Sequence, residues 1–355
     1  LFILFHFFSL TWSTDIEQGL LRCLKFVRNF LFYVLIRELF LRDFFNNYKR
    51  LVISYILTAI ILLSVHISVI LSAGGLADFA TLTQKVTLSS VDLGSLRVRG
   101  TGAGFLISGS SMWFMITGAI VFGSIAITDS RFIRLLKVFF VLGIFIAAVL
   151  TLSRSTIIML ALLLMLLFFG SMYLRQKKPI FSISAILIML IVAGLALGLG
   201  NIFQRRFNRA FEDGSWTQRL DLYRPALDAF KHSPIIGIGV GSNKSWQFAY
   251  PEIGGQQSRF VHSTYLLILS ETGLLGSLLF LTMIYYWLSY LWRSLNNRNY
   301  ALQGRSICMT LLAYSLAYFV YISAVGEFED FEPWLVMAIA AATQQIKGVI
   351  GCRAY

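Results

Sequence analysis

The sequence predicts an all-α protein, a polytopic bundle of membrane-crossing helices. Of its 355 residues, 57% are hydrophobic and only 13% charged, against about 25% charged in ordinary soluble domains. Several runs of about twenty residues are almost wholly apolar, the length a helix needs to cross a hydrocarbon core. The basic clusters fall in alternate connections, as they do in cytoplasmic loops.

Taken in order, residues 1–12 read as the tail of a span, followed by spans over 20–41, 51–72 and 103–127. Two more, 135–152 and 156–174, flank the tight turn "SRS", and another covers 180–200. A long polar segment, 201–262, precedes spans over 263–291, 306–325 and 334–350. About ten spans result at the usual window length. The expected organisation is a single membrane bundle over 1–355, with 201–262 as an extracytoplasmic loop that contains short helices and carries part of the active site. Leu1 already lies inside an apolar run, so the bundle is expected to be N-terminally truncated. No charged leader or small-residue cleavage site marks a signal peptide. Segment 20–41 carries Arg22, Lys25, Arg28 and Arg37, so an interfacial amphipathic helix is an alternative there.

The clusters "RDFFNNYKR" (42–50), "RFIRLLK" (131–137), "RQKK" (175–178) and "RSLNNRNYALQGR" (293–305) set the cytoplasmic side. The outer side then receives 13–19, 73–102, the Arg154 turn, 201–262 and the acidic "EFEDFE" (327–332). The net charge of +13 is explained by this loop bias. No basic soluble domain is present, so no nucleic-acid partner is expected. Cys23, Cys308 and Cys352 are far apart and show neither metal spacing nor a disulfide framework.

The outer side is rich in arginine. The 201–262 loop holds Arg205, Arg206, Arg209, Arg219, Arg224 and Arg259, while Arg97 and Arg99 precede the fourth span. Guanidinium is permanently charged and grips phosphate oxygens as a fork; snorkelling to lipid headgroups is the competing use. Arg154 sits between two apolar helices, where an ionisable residue is a functional candidate. "GIGVGSN" (237–243) lacks the GK[ST] ending of a phosphate loop, and its glycines are read as a sharp turn. "TQRLDLYRPALDAF" (217–230) fits an amphipathic helix with Leu220, Leu227 and Phe230 on one side and a kink at Pro225.

The segment "HSTYLLILSETGLLG" (262–276) opens with a histidine where the chain returns to the membrane and carries Glu271 two turns in. In a continuous helix Glu271 stands about 13 Å deeper and on the opposite face. It is expected to bond within the bundle or to contact substrate.

Arg219, Pro234, Gly237, Gly239, His262, Glu271, Gly273 and Gly276 together resemble the core pattern of the O-antigen ligase and O-antigen polymerase family, the lipid-linked polysaccharide glycosyltransferases. The "SRS" turn is similar to the family's, and "RVRGTGAG" (97–104) loosely resembles the segment before its preceding span. Ser263 stands where the family often has Asn, and Tyr223 where an aromatic, often Trp, follows the arginine.

The resemblance implies a bacterial inner-membrane enzyme with its site on the periplasmic face. The donor is a glycan on polyprenyl pyrophosphate, and the acceptor hydroxyl belongs to a glycolipid or glycan. His262 is the implied base, its imidazole near pH neutrality in pKa. Arg154 and Arg219 are the implied cations for the leaving pyrophosphate, with no metal or other cofactor needed. Arg22, Lys25, Arg28, Arg99, Tyr223 and Glu271 are candidate substrate contacts. Asp221 or Glu252 is an alternative base. A lipid A–core acceptor defines a ligase; a second lipid-linked glycan defines a polymerase. The rival class is a transporter, which places its binding residues at the midplane, where His66 and Glu271 are the available ionisable groups.

Overall fold

The structure, a computed structural model, describes residues 1–72, 103–128, 130–150, 154–174, 215–247, 249–250, 261–297, 300, 302–324, 328 and 330–344. All regular elements among them are helical. In chain order they are α1 (Phe2–Ser9) with a 3-10 turn (Leu10–Trp12), α2 (Ile16–Arg42), α3 (Phe44–Ser72), α4 (Ala103–Ile125), α5 (Arg131–Leu150), α6 (Arg154–Tyr173), α7 (Ser215–His232), α8 (Asn243–Gln247), α9 (Thr264–Asn296), α10 (Leu302–Tyr321) and α11 (Glu332–Thr343). Thus 201–262 does contain helices, α7 and α8.

Among the described residues, Phe44–Val65, Arg131–Val149, Ser155–Tyr173 and Thr264–Asn296 are long and apolar enough to cross a membrane. Phe2–Trp12, Met112–Ile125 and Glu332–Thr343 are shorter apolar helices. The protein is therefore a helical membrane protein, but the expected ten spans are not supported as a count. The expected span 180–200 lies outside the described residues. Segment 20–41 is helical, yet its spaced arginines and lysine keep it out of the apolar set.

The chain divides into two compact units. One holds Asp43–Arg205 and Asn297–Ala317 among its segments. Within it α4 packs on α3, α5 and α6. Its residues Phe114, Met115, Ile116, Ile120 and Val121 are fully buried. Gly118 lets the Phe145 ring of α5 approach so closely that a methyl group would clash with it, the small-residue contact typical of membrane helices. Tyr48 on α3 donates its hydroxyl to the Ile120 carbonyl at 2.9 Å, which satisfies a fully buried polar group.

The other unit holds Leu1–Arg42, Arg206–Asn296 and Tyr318–Val349. Its core is aromatic. Phe280 of α9 meets Phe2 at 5.6 Å and Phe328 at 4.8 Å between ring centroids. Phe26 of α2 meets Phe2 at 5.5 Å and Trp334 of α11 at 6.3 Å. Edge-on and tilted pairs of this kind add to the burial of large apolar rings.

α9 is not one straight helix. Gly273 has φ 61° and ψ −160°, a region open essentially to glycine alone. The ring centroids of Tyr265 and Phe280 lie 6.1 Å apart, whereas a straight helix would separate residues at that spacing by about 22 Å. The Phe319 carbonyl accepts from the Tyr265 hydroxyl at 2.9 Å while the Phe319 ring meets Trp287 at 4.9 Å. Thr264–Thr272 therefore folds back beside Leu274–Asn296. The expected continuous span 263–291 is corrected accordingly: only the second half, roughly 23 residues and about 35 Å of helix, has the length of a crossing.

The break frees backbone groups that a helix would pair internally, and the glycine turn takes them up. Ile238 N–H donates to the Ser270 carbonyl at 3.0 Å and Gly239 N–H to the Glu271 carbonyl at 2.9 Å. In return Leu274 N–H donates to Pro234 at 2.9 Å and Leu275 N–H to Ile235 at 3.1 Å. These four bonds meet the requirement that buried backbone groups be paired. Gly237, with φ 72°, presses on the Glu271 backbone, and Gly273 presses on that of Ile235. The expectation of a sharp turn at 237–243 holds, and its partner is the break in α9.

Gly273→Ala should therefore destabilise the protein by at least about 1–3 kcal/mol, from the forbidden backbone conformation alone. Gly143→Ala, where an added methyl meets nothing within 4 Å, should leave stability unchanged or raise it slightly. Thermal unfolding of both variants in detergent checks the contrast.

Candidate active site

His262 stands one residue before the cap of α9. Val261 and Ser263 on either side are buried, while His262 is exposed. Ser263 caps the helix: its Oγ accepts from Leu266 N–H at 3.4 Å, and its carbonyl accepts from Leu267 N–H at 3.0 Å. Asn and Ser serve about equally well at such a position, so Ser263 keeps the capping chemistry of the Asn often found there. Thr264 N–H donates to the Ile322 carbonyl at 3.0 Å. These bonds fix the backbone that follows His262, whose side chain is exposed.

Tyr223 belongs to this site. Its hydroxyl donates to the His262 carbonyl at 3.3 Å. It rises from α7, whose buried face is Leu222, Pro225, Ala226 and Ala229. Of the residues expected on one side, Leu220 and Leu227 are exposed and Phe230 is half-buried, while Leu222 packs inward with Pro225, Ala226 and Ala229. Pro225 lies inside the helix as expected. Arg219 stands one turn before Tyr223, at the i,i+4 spacing that makes helix neighbours. Asp221, the alternative base, is exposed on the same helix, whereas Glu252 lies outside the described residues.

Glu271 is drawn into a different cluster. Its carboxylate is buried and accepts from the guanidinium of Arg22 on α2. It also accepts from Asn243 N–H, at 3.3 Å, at the start of α8. The Asn243 side chain donates to Ser270 Oγ at 3.0 Å and accepts from Gln247 at 3.0 Å. Thus Glu271 bonds within the bundle, and it does so at the apex of the fold-back. A small cavity borders the pair, lined by His6, Thr264, Leu267 and Phe328 among others, with room for about one water. Asn243 and Ser270 were missed in the sequence, although Ser242–Asn243 after a glycine turn is a helix-start signal.

The connection between α1 and α2 closes over the glycine turn. Trp12 Nε1 donates to the Gly237 carbonyl at 3.2 Å, and Ser13 Oγ to the Val240 carbonyl at 2.8 Å. Thr14 N–H donates to Ser242 Oγ at 2.8 Å. A methyl group on Gly239 or Gly241 would collide with the backbone of this connection.

The other candidates are spread. Lys25 and Arg28 are exposed on α2, and Arg28 donates to Asn29 Oδ1 at 3.1 and 3.0 Å. Arg154 is the first residue of α6, in the other unit. Arg99 lies outside the described residues. The structure thus brings Tyr223 to His262 and Arg22 to Glu271.

Removing either member of the Arg22–Glu271 pair leaves an uncompensated charge in a site that is nearly closed to solvent. Arg22→Met and Glu271→Gln should each cost about 3–5 kcal/mol. The double variant should cost less than the sum, because the two losses share one interaction. Denaturant unfolding in detergent measures all three; strictly additive losses would show that the pair does not interact.

Residues 138–281 match a family model described as O-antigen ligase. The match holds Arg154, Arg219, Tyr223, His262 and Glu271, while Arg22, Lys25, Arg28 and Arg99 precede it. No curated protein and no solved structure matches the chain. Residues 138–281 of this helical membrane protein are thus similar to the O-antigen ligase family, in support of the resemblance carried by Arg219, Pro234, Gly237, His262 and Glu271.

Proposed function

We propose that this protein transfers a glycan from a polyprenyl-pyrophosphate donor to an acceptor hydroxyl, with His262 as the base. The family match supports a ligase- or polymerase-type enzyme in general terms. The observation that carries the finer reading is the setting of His262: exposed, directly before the α9 cap Ser263, and held through its carbonyl by Tyr223. An imidazole on a fixed backbone stays aligned with an incoming hydroxyl.

In this reaction the acceptor oxygen attacks the anomeric carbon as its proton passes to the His262 ring. The bond from that carbon to the pyrophosphate oxygen breaks, and the electron pair leaves with the lipid pyrophosphate. Arg154 and Arg219 bind that growing charge. Arg154 stands at the start of the otherwise apolar α6, where an ionisable residue is a functional candidate. Thr156, two residues on, is buried with no hydrogen-bond partner for its hydroxyl among the described residues, and in this proposal it donates to a phosphate oxygen. Lys25, Arg28 and Arg99 supply further positive charge to the approaching donor, while Arg22 and Glu271 hold the loop that supports the site.

The reaction takes place on the outer face of the bacterial inner membrane, in a bundle of about ten spans by window length. Support for the common face comes from the bonds joining residues 12–14 to 237–242, two segments that charge bias assigns to one side. The acceptor is a lipid A–core sugar, so the enzyme is a ligase. A polymerase must also hold a second polyprenyl pyrophosphate, and the arginines available for it, Arg205, Arg206 and Arg209, serve equally as contacts to lipid headgroups.

His262→Ala should lower transfer by on the order of 10²–10⁴-fold in purified protein given lipid-linked glycan and a lipid A–core acceptor, with donor binding retained. Normal turnover would remove His262 from the mechanism. Arg154→Lys and Arg219→Lys should each lose on the order of 10²-fold, because a point charge replaces a fork. EDTA should leave the rate unchanged; a requirement for Mg²⁺ or Mn²⁺ would overturn the cation assignment. Neutralising Arg205, Arg206 and Arg209 together should spare most activity; shortened glycan chains, with no lipid A–core product from the parent protein, would identify a polymerase.

A further inference from the structure

The glycine turn carries an apolar tip that the bonds of its backbone do not explain. Ile235 is 62% exposed and Ile236 38%. Each is a large apolar side chain in a segment that charge and polarity assign to the aqueous outer loop. The tip does not stand in isolation, because Leu274 and Leu275 donate to the carbonyls of Pro234 and Ile235. Leu274, Leu278, Leu281 and Tyr285 follow at the spacing of one helix face, and all are exposed. That face belongs to the half of α9 long enough to cross a bilayer. The backbone of the tip is thus bonded to the start of an exposed apolar stripe on α9. Trp12, bonded to Gly237 beside the tip, is the residue type that collects at the membrane–water boundary.

We propose that residues 234–236 dip into the bilayer and contact the acyl chains of the outer leaflet. Irregular backbone is tolerated at membrane depth where protein satisfies its polar groups, and the exchange with the break in α9 does this for Pro234, Ile235, Ile238 and Gly239. The hairpin that begins at His262 is then fastened to the bilayer at its apex. An aqueous loop gains nothing from two exposed isoleucines beside a proline, whereas burying such side chains in hydrocarbon is favourable.

The test uses nitroxide labels on Ile235→Cys and Ile236→Cys in lipid nanodiscs, in a Cys352→Ser background. Cys23 and Cys308 are buried, so the background protein supplies the blank. Oxygen, which concentrates in hydrocarbon, should relax both labels more than a water-soluble nickel chelate does. The ratio should match a Leu278→Cys label and exceed that of a Lys231→Cys label. A ratio like that of Lys231→Cys, or poor access to both reagents, would overturn the proposal. A measurement without any substitution accompanies it: lipids bearing a diazirine on the acyl chain should mark the peptide containing Pro234–Gly237 in the parent protein. Absence of that mark alongside marked α9 peptides counts against insertion.

Discussion

The arrangement of the His262 unit depends on one constraint: the backbone groups freed at Gly273 must find partners away from water. A helix broken at full hydration loses little, but one broken inside a packed apolar unit leaves carbonyls and N–H groups whose desolvation is uncompensated. Here the Ser270 and Glu271 carbonyls and the Leu274 and Leu275 N–H groups all pair with residues 234–239. Both strands of this exchange need glycine at the crossing, Gly237 on one and Gly273 on the other. Two glycine patterns far apart in the chain are therefore halves of one joint.

The joint accounts for the placement of the site residues. Folding α9 back brings Tyr265 to Phe280, so His262 begins a hairpin instead of a straight crossing. Packing α7 against α9 sets Tyr223 under the His262 carbonyl. Glu271, at the apex, gathers Arg22 and the start of α8. Its charge is used to hold three chain segments together, and a buried pair of this kind is better evidence for a specified arrangement than for net stability. A broken helix is also a transporter feature, since its open ends often coordinate ions. At Gly273 the four freed groups already hold backbone partners, which favours the reading as a structural joint.

Much of this was legible in the sequence. Apolar runs gave the membrane class, and the order of Arg219, Pro234, Gly237, His262, Glu271 and Gly273 carried the family. The conformation of Gly273 was not legible, because a glycine within a helical pattern is ordinarily tolerated and nothing local encodes a positive φ. The Arg22–Glu271 pair was hidden for a different reason: its members are far apart in the chain, and charge patterning sees only near neighbours. On α7 the period grouped Leu220, Leu227 and Phe230, and the structure leaves the two leucines exposed and Phe230 half-buried. In a membrane protein, apolar periodicity marks a side that faces lipid as readily as one that faces the core.

The most direct test of the fold-back is a distance. Nitroxides on Leu266→Cys and Tyr286→Cys, measured by pulsed dipolar spectroscopy in nanodiscs, would stand about 30 Å apart, backbone to backbone, along a straight helix. The folded α9 predicts a separation under about 20 Å, from a short axial offset and one helix-packing distance. A single distribution near the longer distance would contradict the hairpin and, with it, the placement of His262.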